Sequence, residues 1–375
     1  MPRRVSAAAV VVAALALAAA CVGTGATSSP GATSRGNRLT GGPPHVPAGL
    51  TDTAEVVMGT LTAPPTRAFL ARVRHGKMGG VLLLGNDWLS RRTAAAVTAK
   101  LRRAACNAGE PPLIAVDQEG GIVKRLAWAP PTEAPADMKS PADARAQAAG
   151  AAAALKSVGI DVDFAPVLGT PASSSNFLGS RAFSRSATRD ARMGRAFVRG
   201  LQQNGVAATA KHFPGLGLAG GNTDNGRIVI DAPVWKIRKG LVPFKSAIRA
   251  GVQLVMVGTA IYPALDPSRK PAAFSKKIIE GLLRKQLHFT GVTVTDSLTA
   301  PAPEAIPHAA SRAVLAGSDL LVWGSESASE QGYATLVADA KGSAKLRARL
   351  AQAAGRIEAL KAWLAAHGGA TCPAK

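Results

Sequence analysis

Acidic side chains are scarce in this chain: 23 Asp and Glu stand against 45 Lys and Arg, a formal charge of +22 over 375 residues. Aromatic residues are scarcer still at 4%. The basic residues are spread along the chain without the Arg/aromatic interleaving of single-strand binders, so nucleic acid is a poor partner. A basic exterior fits anionic envelope polymers or lipid headgroups better, and a plain solubility effect fits nearly as well. Few aromatics also mean that a core must be built from Ala, Val and Leu. The 47% apolar content suffices for one and argues against disorder. No repeat of 20 to 50 residues is visible.

A membrane-spanning helix is also missing from the amino terminus. MPRRVSAAAVVVAALALAAAC is a basic start followed by an apolar run of roughly 15 residues, too short to span and abruptly ended, so it reads as a secretory signal. Small residues just before Cys21 resemble a bacterial lipoprotein processing site, although Leu17 sits one place further from Cys21 than usual. Acyl chains on Cys21 would hold the mature protein on a membrane surface; plain secretion is the alternative. Residues 22–48, rich in Gly, Ser, Thr and Pro, cannot bury a core and read as a flexible tether. Only three cysteines exist, so lipidation of Cys21 leaves Cys106 and Cys372 for a disulfide, provided their Cα atoms come within bonding range.

Over residues 49–370, short apolar runs alternate with Ala-rich amphipathic stretches. The runs lie at 56–62, 79–85, 113–118, 161–167, 207–213, 254–259, 291–296 and 319–324. Between most of them lie segments of helical periodicity such as RRTAAAVTAKLRRAACN, ADARAQAAGAAAALKSVG and SKKIIEGLLRKQLH. Eight buried strands alternating with helices predict an α/β fold, a (β/α)8 TIM-like barrel forming a single catalytic domain; an open doubly wound sheet is the alternative.

In a barrel, chemistry sits on the loops after the carboxyl ends of strands. Asp117 follows LIAV, with Arg125 in the next loop; Lys211 and His212 end AATAKH; Asp296 ends GVTVTD. Several ionisable groups at equivalent ends of different strands point to a site. A carboxylate at 296 would face the barrel mouth, where Lys211, Arg125 and Arg181 are expected to lower its pKa and keep it ionised. Such a carboxylate suits attack on an oxocarbenium-like centre.

The strings AVDQEGGIVKRL, FAPV, GSRAF, GVAATAKHFPGLG, GVQLVMVGTAIYPALDP, GLLRKQLHFTGVTVTDSLT and AVLAGSDLLVW resemble, in order, the landmarks of glycoside hydrolase family 3, most nearly its single-barrel bacterial β-N-acetylglucosaminidases. The resemblance runs from about Leu50 to Leu364. It implies a retaining mechanism with Asp296 as nucleophile. Asp117, Arg125, Arg181, Lys211 and His212 match residues that hold the terminal sugar. It implies no metal and no organic cofactor, and a small-saccharide or muropeptide substrate handled by a monomer.

One part of the pattern is missing. The family follows KHFPG with His-Gly-Asp-Thr and an Asp-Ser-His step whose last histidine is the acid/base; here Leu216 replaces the first histidine, and the step reads Asp224, Asn225, Gly226. Gly169 stands where an aspartate is usual, GTA at 258–260 replaces a histidine-bearing turn, and Ala300 stands for a common methionine. Asp224 is then the candidate acid/base, with His308 a remote substitute expected to be a surface helix cap. Two outcomes stay open: a hydrolase of peptidoglycan-derived saccharides, or a weak or silent sugar-binding pseudoenzyme. The glycine-rich 211–226 loop is expected to need backbone freedom for closure in either case.

Overall fold

The computed structural model describes residues 51–85, 90–106, 111–369 and 372. The signal segment 1–21, Cys21 and the 22–48 tether therefore lie outside the described residues. No helix among those described is long and apolar enough to cross a membrane.

Seven parallel strands form one sheet in the order β1 (Met58–Leu61), β2 (Gly80–Leu83), β3 (Leu113–Val116), β6 (Val162–Asp163), β7 (Ala207–Phe213), β8 (Leu254–Val257) and β9 (Val292–Thr295). β4 (Gln118–Gly120) and β5 (Val123–Lys124) make a separate antiparallel hairpin directly after β3. The last expected run contributes only residues 320–321, but these close the ring: Leu320 bridges Val294 of β9, and Leu321 bridges Val57 beside β1. Met58 N–H donates to Leu321 at 3.0 Å, and Thr295 N–H to Leu320 at 2.9 Å. All eight expected runs thus sit in one parallel barrel, and the open sheet is excluded. Every residue of the seven strands is buried, as expected of continuous apolar runs covered on both faces.

Helices follow the strands as the periodicity predicts, including Arg91–Cys106, Pro141–Ser157 and Ala187–Gln202. The segment Lys277–Gln286 departs from expectation by taking the wider π-type pitch, in which residues five apart are neighbours; this brings Ile278 over Leu283 on the buried face. Cys106 and Cys372 form a disulfide with Cα atoms 5.3 Å apart, joining the end of the third strand's preceding helix to the tail.

The two ends of the barrel carry different ionic chemistry. At the amino-terminal end, buried Asp319 receives Arg284 at 2.5 Å, Arg349 at 2.7 Å and Arg356 at 2.9 Å, clamping the short closing segment between two helices and the β9 strand. Burial opposes the anion there, but the three guanidinium groups outweigh it and hold the Asp319 carboxyl below its ordinary value. Arg102 similarly holds Asp161 ahead of β6 at 2.8 Å. These are structural clamps, whereas the carboxyl-terminal end is hollow.

Candidate active site

A cavity of about 760 Å³ opens at the carboxyl ends of the strands. Its walls include Asp117, Arg125, Arg181, Lys211, His212, Asp224 and Asp296, so the fold gathers all seven sequence candidates. Lys211 and His212 arrive together on β7, and the other five come from separate strand ends and loops, which is why no single local motif contains the set.

The basic side chains are held by two acids, Asp117 and Glu119. Lys211 Nζ donates to Asp117 at 2.5 Å and lies 2.7 Å from Glu119. Arg181 forks onto both oxygens of Glu119 at 2.8 and 2.9 Å. Arg125 approaches the second oxygen of Asp117 at 3.9 Å. Burial works against the Asp117 anion, yet Lys211 and then Arg125 draw its carboxyl below the usual range. Glu119, absent from the sequence candidates, is thus the hub holding Lys211 and Arg181 in place. Its only signal was its position in AVDQEGGIVKRL, and its reach depends on the β4–β5 hairpin folding back over the cavity. Gln118 seats that hairpin by donating its backbone N–H to Asp163 at 2.9 Å. Burial pushes the Asp163 carboxyl up to about 8, so it holds a proton at neutral pH.

Asp296 corrects one expectation. Burial, followed by repulsion from Asp224, raises its carboxyl to about 7; the Ser297 backbone N–H at 2.8 Å, Lys211 and Arg181 offset this only in part. The cations do not keep it well below neutrality because their charge is spent on Asp117 and Glu119. Four carboxylates and three cations line the cavity, and because the cations sit on Asp117 and Glu119, both Asp296 and Asp224 are left without an ion-pair partner among the described residues.

Asp224 sits exposed on its loop, its backbone N–H donating to its neighbour Asn222 at 3.1 Å. His212 is the one histidine lining the cavity among the described residues. Burial, Lys211 and Arg181 drive its pKa well below the ordinary value, so the ring is neutral; its Nδ1 is buried without a protein partner. A neutral imidazole can accept or donate a hydrogen bond to a sugar but supplies no acid proton at neutral pH. His308 does not line the cavity: its Nδ1 meets Asp339 at 2.9 Å on the surface, at the start of the helix Ala309–Ala316.

The remaining departures are filled by packing. Leu216 is 2% exposed, and a side chain at Gly169 would run into Leu178. The glycines after His212 have specific duties as well. Gly215 takes φ +121°, and a Cβ on Gly217 would fall 2.0 Å from the Gly169 carbonyl, so this part of the loop is glycine-rich for close backbone packing and not for freedom to close. Phe177, Met256 and Trp323 add apolar walls that the sequence reading also missed.

A family model described as the glycosyl hydrolase family 3 N terminal domain matches residues 54–360. The chain belongs to glycosyl hydrolase family 3. Within the family it is similar to a β-hexosaminidase of Nitrosomonas eutropha, 33% identical over 71% of this chain and 78% of the relative. It is also 34% identical to an uncharacterized secreted glycosyl hydrolase of Arthroderma benhamiae, over 80% of this chain and 90% of the other. A solved β-N-acetylhexosaminidase from Beutenbergia cavernae superposes with a TM-score of 0.79 at 32% identity, covering 85% of this chain and all of that one. A family 3 barrel and an O-glycosyl hydrolase framework are therefore established for this chain.

Proposed function

We propose that this family 3 protein is a retaining exo-β-N-acetylglucosaminidase of the cell envelope that acts on peptidoglycan-derived saccharides. The observation that carries the reading is the gathering of Asp296, Asp224 and the five sugar-holding candidates in one cavity. Asp296, at the end of β9, attacks the anomeric carbon; its oxygen forms the ester bond as the glycosidic bond breaks, and water later releases the sugar. Asp117 accepts from sugar hydroxyls, while Arg125, Arg181, Lys211 and neutral His212 donate to hydroxyls and to an acetamide carbonyl. Glu119 keeps two of those donors aimed. Asp224, sharing the cavity with the nucleophile, passes the proton to the leaving oxygen and takes one from water in the second step.

Secretion and anchoring through Cys21 fit the leader-like amino terminus, the disulfide and the similarity to a secreted hydrolase. A second reading rests on a specific observation: Asp224 is exposed and the cavity's histidine is neutral, so leaving-group protonation is weak. In that case the protein cleaves only activated glycosides or binds sugar without cleaving it. Comparing an aryl N-acetylglucosaminide with a natural N-acetylglucosamine disaccharide separates these. Hydrolysis of both, with the disaccharide lost in Asp224→Ala and the nitrophenyl substrate largely spared, supports the full assignment. Cleavage of neither, with N-acetylglucosamine still raising the melting temperature, makes the protein a binder.

A further inference from the structure

A second cavity, of about 740 Å³, lies outside the site just described, between the segment 266–277 after β8 and the segment 302–316 after β9. Six cations line it: Arg227, Arg269, Lys270, Lys276, Lys277 and Arg312. All six are exposed. Among the described residues only Lys277 has a carboxylate within reach, Asp266 at 3.8 Å. Asp266 is the one acid in the lining, and its oxygens are already taken by the Ser275 hydroxyl at 2.6 Å and the Ser268 N–H at 3.1 Å. Arg269 is held at φ +54°, a conformation that costs a non-glycine residue energy and fixes where its side chain starts. The floor is apolar, with Phe274 buried beneath it and Leu315 36% exposed.

The arrangement narrows what could sit there. Like charges gathered without counter-charges repel one another, and an anion repays that cost. Three guanidinium forks suit carboxylate or phosphodiester oxygens. The site is concave, which admits a chain and turns away a flat bilayer. Its apolar floor suits the C–H faces of sugar rings between charged groups. Two segments are shared with the first cavity: Asn222 and Asp224 line that one while Arg227 lines this one, and Asp296, Ser297, Thr299 and Ala300 line that one while Ala302 lines this one.

We propose that this groove is a separate binding site for an anionic glycan chain, holding the protein on a negatively charged polysaccharide beside its sugar-cleaving cavity. The binding does not depend on the catalytic assignment, so it is tested without any turnover. Fluorescent oligogalacturonate is titrated into the whole protein, into R269Q/K270Q/R312Q, and into R192Q/R195Q/R199Q, which removes the same charge from the exposed face of the helix Ala187–Gln202. Circular dichroism melting confirms that each variant is folded. The groove variant is expected to bind on the order of 100-fold more weakly, with a shallower salt dependence, while the helix variant changes less than about threefold. Equal weakening in both variants would reduce the effect to net charge and overturn the proposal. So would equal affinity for neutral dextran, or phosphatidylglycerol vesicles showing the larger groove-dependent loss.

Discussion

Asp296 is buried in a place that opposes the anionic form its proposed role as nucleophile needs. With its carboxyl raised to about 7, kcat/KM for a nitrophenyl N-acetylglucosaminide should rise as pH increases through about 7, because only the anion attacks. Asp224 is the second cause of that elevation, so Asp224→Asn should move the rising limb to lower pH; an unmoved limb would show that the two carboxylates do not communicate. The same group has a signature in stability. A folded-state pKa above the unfolded value favours the fold at low pH, and that contribution is lost as pH rises from about 4 through about 7. Asp296→Asn should therefore melt near wild type at about pH 4 and clearly above it at about pH 8, a trade of stability for function that differential scanning calorimetry reads directly. Asp117, Lys211, His212 and Asp296 were legible because each ends an apolar run. The elevated carboxyl was not, because the sequence does not reveal that Lys211 and Arg181 are committed to Asp117 and Glu119.

Among the elements, the strands were readable as apolar runs and the long helices from periodicity. The β4–β5 hairpin was hidden because its polar residues sit inside a run that reads as loop. The eighth strand shrank to residues 320–321, with closure resting on the Asp319 clamp, whose three arginines come from distant segments. Asp319→Asn should cost about 3–5 kcal/mol, since it leaves three largely enclosed guanidinium groups without their buried anion; chemical denaturation would read the loss. Gly332, in the helix Glu326–Gly342, lies against the Trp323 wall of the cavity, and a Cβ there would fall 2.2 Å from the ring. Gly332→Ala should displace Trp323 and raise KM more than it lowers kcat, with a stability loss of about 1–3 kcal/mol.

For the whole molecule, one closed barrel separates structural charge at one end from chemical charge at the other, and the excess of cations covers the outside. The proposed anchoring is tested on the chain as a whole: Cys21→Ala should shift the protein from the membrane fraction to the medium, and retention of that variant would transfer the role to surface charge. The proposed reaction rests on a single carboxylate in this framework. The most direct measurement is the initial rate on a para-nitrophenyl N-acetyl-β-glucosaminide, for wild type and Asp296→Asn at a pH above the Asp296 pKa. Measurable wild-type turnover that falls by on the order of a thousandfold or more in the variant, with both proteins folded, is the predicted result. Equal rates in the two proteins, or no turnover by wild type, would contradict the assignment of Asp296 as the nucleophile of a working glycosidase.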